Sequence, residues 1–190
     1  MFSKRNIALT TLAAAAGTLL ILSQTAFSNR CHSLGGAWVG QVPDLGIQWC
    51  GIHAPLDPDG RKAAIKWQWV TVGPQFTALF AQFGGQASEV VGELEMVNRN
   101  TARYTEVWYI VTPANLQAVP PQPAVVTGIC VMKGTWRYTG SDTATTEDTL
   151  LVYTAEADAD HDGMPDANAV PVIPPTSFSG TLHYRVPILR

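Results

Sequence analysis

Apolar and polar residues alternate with a period of two along much of the chain. In segment 62–71 apolar residues recur at every second position, and the lysines and the glutamine stand between them. Segment 89–97 alternates in the same way, with glutamate at its polar positions. This pattern predicts two half-buried strands whose apolar faces point toward a core. Their inward positions are Ala63, Ile65, Trp67, Trp69, Val90, Leu94 and Met96.

Short polar turns separate further segments that are rich in β-forming residues. The turn 98–100 joins strand 89–97 to the next predicted strand, and the turn 140–142 marks a second hairpin. The pattern therefore predicts seven or eight strands, most of them connected to the next strand in the sequence. The remaining predicted strands cover 36–42, 48–53, 101–111, 125–138, 149–155 and 179–188.

One segment follows a helical period instead. Phe76, Leu79, Phe80 and Phe83 are spaced as one face of a short amphipathic helix, near residues 75–83. A Gly-Pro pair precedes this stripe and a Gly-Gly pair follows it, as expected at helix ends. The helix either caps one end of the fold or acts as a mobile lid over a ligand cavity. The three phenylalanines on one face favour the cap.

Consecutive hairpins without long helices predict an all-β fold, an antiparallel up-and-down barrel of about eight strands. Closing the meander into a barrel removes the exposed sheet edges, and a β-sandwich is the alternative. The composition agrees with one globular domain, because 46% of the 190 residues are hydrophobic and 14% are charged. The net charge of −3 and the lack of a basic cluster exclude a nucleic-acid partner.

The first 28 residues predict an export signal. Two basic residues precede an uncharged apolar run at 7–22, and Ala26 and Ser28 place small residues at positions −3 and −1 of a cleavage site. We expect 29–190 to be a single β-barrel domain, secreted or periplasmic, with no membrane span after cleavage. An uncleaved anchor is the alternative.

The cysteines are Cys31, Cys50 and Cys130. In an oxidising compartment one disulfide is expected, and three pairings are possible. We prefer Cys50 with Cys130, because both lie in or beside predicted strands.

The triplet Gly36-Ala37-Trp38 at the start of the first strand resembles the G-x-W signature of lipocalin-like barrels. The same spacing recurs at Gly134 and Trp136, and the chain has no helix after its last strand. The resemblance implies a lipocalin-like eight-stranded barrel that holds a small apolar ligand. The residues expected to line that ligand site are Trp67, Trp69, Trp108 and Trp136. The alternative is that these tryptophans fill a solid core.

Five acidic residues without a basic neighbour lie within 156–166, and 158–166 reads D-x-D-x-D-G-x-x-D. Carboxylates two residues apart converge when the backbone curls around a calcium ion, and a glycine at the sixth position permits the sharp turn. The motif resembles the calcium repeats of thrombospondin type 3 and dockerin-like proteins. Its twelfth position is Ala169 instead of an acidic residue, which weakens the expected site. The predicted Ca²⁺ ligands are the carboxylates of Asp158, Asp160, Asp162 and Asp166 and the carbonyl of Met164.

We expect Ca²⁺ to order the connection between the last two strands, and a solvated acidic loop without metal is the alternative. No nucleophile motif or phosphate-binding loop is present. The four histidines are scattered and are interpreted as ordinary surface or partly satisfied residues. Glu106, on the same strand face as Tyr104 and Trp108, is the one candidate acid or base.

The sequence therefore favours an exported, non-enzymatic binding module with structural Ca²⁺. A barrel enzyme that uses Glu106 and a purely structural envelope protein are the alternatives.

Overall fold

The computed structural model describes residues 34–187 of the chain. The predicted export signal and Cys31 lie outside these residues. Within residues 34–187, no helix combines the length and the hydropathy that a membrane span needs. Nine strands and one α-helix, α1 (Pro74–Gln82), form the described fold. The strands are β1 (Gly36–Val42), β2 (Ile47–Pro55), β3 (Lys62–Thr71), β4 (Gln86–Ala87), β5 (Val90–Asn98), β6 (Thr101–Thr112), β7 (Val125–Tyr138), β8 (Thr143–Thr154) and β9 (Ile173–Arg185).

Eight strands close into an antiparallel barrel in which neighbours in space follow each other in the chain. β4 is not one of the eight, because this two-residue strand pairs only with the end of β6. β9 pairs with β1, from Trp38 opposite Arg185 to Gln41 opposite Leu182, and this pairing closes the barrel. The observed fold is therefore the predicted up-and-down barrel and not a sandwich. The chain order around the barrel is β1, β2, β3, β5, β6, β7, β8 and β9.

The strand alternation places the predicted apolar faces inside. Trp67 on β3 and Leu94 on β5 are fully buried, and the glutamates of β5 face outward. β8 and β9 begin at Thr143 and Ile173, whereas the sequence predicted starts at 149 and 179. The earlier part of β8 was missed because the polar Thr146 and Asp148 face the interior there. The earlier part of β9 was missed because it contains Pro174 and Pro175 and mostly exposed side chains.

Helix α1 caps one end of the barrel. Pro74 stands at its first turn, where a missing backbone N–H costs nothing. Phe76 and Phe80 are buried, and their ring centroids lie 5.9 and 6.4 Å from that of Trp69. This packing supports the cap that the phenylalanine stripe favoured.

The expected disulfide between Cys50 and Cys130 is wrong. Both cysteines are free: Cys50 is exposed and Cys130 is buried. Cys50 follows the inward-facing Trp49 on β2 and so points outward, whereas Cys130 points into the barrel from β7. β2 and β7 do not pair with each other. Membership of a strand does not reveal which face a thiol occupies or which strands are neighbours, and those two properties decide the pairing.

Candidate functional site

Aromatic side chains fill the barrel interior. Trp38, Trp67, Trp108 and Trp136 are each at most 2% exposed. Trp38 and Trp136 contact edge to face with 5.1 Å between ring centroids, and Trp69 and Trp108 do so at 5.7 Å. Such edge-to-face pairs add to the stabilisation from burial. The tryptophans predicted from the sequence to line a ligand site all lie inside the barrel, and these are Trp67, Trp69, Trp108 and Trp136.

A cavity of about 30 Å³, measured as the space open to the centre of a water molecule, lies beside α1. Since one water needs about 10–15 Å³ by this measure, the cavity has room for about two. Trp67, Trp69 and Trp108 line it, but Trp136 does not. Trp136 packs instead among Trp38 and its neighbours. The remaining lining residues are Val42, Leu45, Ile47, Trp49, Phe76, Val90, Glu106, Met132, Asp148, Phe178 and Thr181.

Glu106 forms part of the cavity wall, as its position on the face of Tyr104 and Trp108 predicted. Its Oε1 accepts a hydrogen bond from Nε1 of Trp67 at 2.7 Å. Burial raises the pKa of Glu106 to about 8; the Trp67 hydrogen bond opposes the rise and the charge of Asp148 adds to it. The carboxyl is therefore mostly protonated at neutral pH.

Asp148 is a second interior carboxyl, and the sequence analysis missed it. It accepts hydrogen bonds from the hydroxyls of Tyr104, of Thr146 at 2.8 Å and of Thr181 at 3.1 Å. Burial raises the pKa of Asp148, and these three donors oppose that rise. Strand alternation could have located Asp148, because residues two apart on a strand share a face and Leu150 is buried.

His53 and His183, interpreted from the sequence as ordinary surface or partly satisfied residues, lie in the interior and not at the surface. Both are buried: Nδ1 of His53 lies 3.0 Å from the carbonyl oxygen of Leu34, and the ring of His183 lies 4.0 Å from that of Trp136. Neither nitrogen of His183 has a hydrogen-bond partner within residues 34–187. Burial lowers the pKa of His53 to about 4 and that of His183 to about 3, so both rings are neutral at pH 7.

The acidic loop lies on the outside of the barrel, within the connection 155–172 between β8 and β9. Ala157 and Ala169 of this connection pack against a buried apolar cluster on the outer face of β6, β7 and β8. The twelfth position of the motif, Ala169, thus contributes packing instead of a metal ligand. The members of this outer apolar cluster are Val107, Ile129, Val131 and Tyr153.

The loop brings the first three predicted carboxylates together. One oxygen of each of Asp158, Asp160 and Asp162 lies within 4.8 Å of the others. The two carboxylate oxygens of Asp158 accept the backbone N–H groups of Asp162 at 3.0 Å and Gly163 at 3.1 Å. The backbone has positive φ at His161, 60°, and at Gly163, 91°. These contacts curl the chain tightly around the three carboxylates.

The last two predicted ligands are placed differently. Asp166 is not part of the group of three, and its backbone N–H donates to the carbonyl oxygen of Ala157 at 2.7 Å. The backbone N–H of Met164 donates to Asp162 at 2.8 Å. These bonds fix the second half of the loop beside the end of β8.

The chain thus offers two places for a ligand, an aromatic cavity with two carboxyls inside the barrel and a curled acidic loop outside it. Comparisons with protein family models, with curated proteins and with solved structures found no match. These two sites are therefore the features of the molecule that bear on its function.

Proposed function

We propose that this protein is an exported, non-enzymatic β-barrel protein that binds Ca²⁺ in the loop 158–166, where the ion has a structural role. The observation that carries the proposal is the grouping of Asp158, Asp160 and Asp162 within 4.8 Å. Ca²⁺ takes six to eight oxygen ligands. We expect the Met164 carbonyl and water to complete the set, with Asp166, which lies outside the group of three, binding directly or through water.

A bound cation relieves the repulsion among the three carboxylates. It also holds the loop against the outer apolar cluster, on which Ala157 and Ala169 pack. Because the twelfth position lacks a bidentate carboxylate, we expect a dissociation constant of about 10⁻⁴–10⁻³ M, the range of extracellular calcium modules.

The test is the melting temperature of residues 29–190 in EDTA and in millimolar Ca²⁺. Ca²⁺ at about ten times its dissociation constant adds about 1.4 kcal/mol to the free energy of unfolding, a rise of about 3–6 °C. Asp160→Asn should lose this rise. Asp59→Asn is the matched control, because Asp59 is exposed in the β2–β3 connection. No rise, or an equal rise in Asp160→Asn, contradicts the proposal.

The cavity supports a second proposal, that the barrel binds a small, mainly apolar ligand. Four tryptophans and Phe76 contribute aromatic walls, and the partly exposed Phe178 contributes to the lining. An enzymatic role receives less support, because the protonated Glu106 is accompanied by Asp148, whose three hydroxyl donors already engage it. Titration of tryptophan fluorescence with ethanol, a probe of about the size of the cavity, tests this proposal, and no response contradicts it.

A further inference from the structure

We propose that the cavity binds a small methylated ammonium ion, held by tryptophan faces and by the carboxylate of Glu106. The inference rests on the proposed ligand-binding role of the cavity and names the chemical class of its ligand.

The charges around the cavity favour a cation. Glu106 and Asp148 both contribute to its wall, whereas the lining residues of the described chain include no Lys or Arg. Asp148 is engaged by three hydroxyls. Among residues 34–187, Trp67 is the one hydrogen-bond donor to Glu106. Glu106 is therefore the carboxyl with unused capacity to accept a hydrogen bond from a ligand.

The aromatic walls favour an organic cation over a metal ion. Four indoles line the space, from Trp49, Trp67, Trp69 and Trp108. Tryptophan is the best cation–π partner among the side chains, and the attraction grows when the cation is desolvated. A hard metal ion needs a shell of oxygens, which this wall does not supply. Methyl groups, in contrast, pack well against indole faces.

The size of the cavity limits the ligand. Room for about two water molecules admits two or three non-hydrogen atoms. Dimethylammonium has that size, with two methyl groups for the indoles and two N–H donors for Glu106. An uncharged apolar ligand of equal size would leave the second carboxyl oxygen of Glu106 without a partner.

Binding should release a proton. The ion interacts best with ionised Glu106, but burial holds this carboxyl protonated at neutral pH. Within residues 34–187, Asp148 and Tyr104 are the titratable groups that interact with Glu106, while the interior His53 and His183 stay neutral above pH 5. We therefore expect the affinity to rise about tenfold per pH unit from pH 6 to about pH 8 and then to level off.

The experiment is a tryptophan fluorescence titration of the protein with dimethylammonium chloride and with ethanol at pH 6, 7 and 8.5, at constant ionic strength. Dimethylammonium should bind more tightly at each step up in pH, and ethanol should bind more weakly and independently of pH. Ethanol binding as tightly as the cation overturns this inference and leaves the ligand-binding proposal intact. If neither binds at about 100 mM, both fail.

Glu106→Gln provides the decisive variant, because glutamine still accepts the hydrogen bond from Trp67 but carries no charge. It should bind dimethylammonium at least about tenfold more weakly at pH 8.5 and lose the pH dependence. Glu93→Gln, on the exposed face of β5, is the control and should bind as the unaltered protein does. Equal binding by Glu106→Gln and Glu93→Gln overturns the inference.

Discussion

The hydroxyl of Tyr109 donates a hydrogen bond to the carbonyl oxygen of Gly163, with 2.9 Å between the two oxygens. Tyr109 stands on the outer face of β6, and Gly163 lies at the centre of the acidic loop. Partial burial and the charges of Asp158 and Asp162 raise the pKa of Tyr109, so the phenol remains a donor above neutral pH. This bond joins the curled loop to the barrel wall.

We expect Tyr109→Phe to lower the free energy of unfolding by about 1 kcal/mol, because one partly buried hydrogen bond is lost while the ring is kept. The melting temperature should fall by about 2–4 °C. Amide hydrogen exchange should also become faster in 158–166. Tyr184→Phe is the control, because Tyr184 is 42% exposed on β9. Equal melting temperatures of the two variants would show that the bond contributes nothing.

A comparison of Gly163→Ala with Gly180→Ala separates the cost of backbone strain from the cost of displacing Tyr109. Gly163 has φ of +91°, and a Cβ atom there would lie 2.8 Å from the Tyr109 hydroxyl oxygen. Gly180 has φ of +76° and no atom within 4 Å of such a Cβ. Both Gly163→Ala and Gly180→Ala should therefore cost about 1–2 kcal/mol of strain.

Gly163→Ala should cost more than that, and it should weaken the stabilisation by Ca²⁺. Melting curves of both variants, recorded in EDTA and in Ca²⁺, measure the two effects. If the two variants are destabilised equally and respond equally to Ca²⁺, Tyr109 does not position the loop.

The sequence predicted those strands of the barrel that have one apolar face. Trp67 and Leu94 mark such faces, and their strands were predicted almost to the residue. The start of β8 was missed, because Thr146 and Asp148 face inward there and hydrogen-bond to each other. Alternation of hydrophobicity cannot reveal such a polar interior. The start of β9 was missed, because Pro174 and Pro175 and mostly exposed side chains leave no apolar alternation in 173–178.

The sequence predicted one of the two candidate sites better than the other. The grouping of Asp158, Asp160 and Asp162 depends on local spacing and was predicted, although binding of calcium itself stays a prediction. The neighbourhood of His53 and His183 depends on the closure of β9 onto β1, and no local pattern encodes that contact. For the same reason the sequence did not reveal that Cys50 and Cys130 lie on strands that do not pair.

The two described cysteines should differ in reactivity. In the reduced native protein an alkylating reagent should modify Cys50 rapidly, because its side chain is exposed. Cys130 should react only after unfolding, since burial raises the pKa of its thiol to about 12 and blocks access. Mass spectrometry of the labelled peptides measures both rates, and Cys50→Ser identifies the fast site. Equal labelling of both thiols in the native state would contradict the interior position of Cys130.

The interior ionisable groups predict a maximum of stability near pH 6.5. The folded-state pKa values of His53 and His183, about 4 and 3, lie below the ordinary 6.5. Unfolding below pH 6.5 therefore takes up protons, and the stability from these neutral rings is lost as pH falls. Glu106 has the opposite sign, because its folded-state pKa of about 8 exceeds the ordinary 4.5. The stability that the protonated Glu106 contributes is present below pH 4.5 and is lost as pH rises toward 8.

Each group changes the free energy of unfolding by about 1.4 kcal/mol per pH unit within its window. From pH 5 to 6.5 the two histidines outweigh Glu106, so these three groups together give a rise of about 1.4 kcal/mol per unit; above 6.5 Glu106 gives a fall of about the same slope. Asp148, whose pKa burial also raises, acts in the same direction as Glu106. Urea denaturation in EDTA between pH 5 and 8 measures this profile. Glu106→Gln should remove the alkaline fall, whereas Glu93→Gln should keep it. A flat profile in the unaltered protein would mean that these groups are not buried in the ionisation states described.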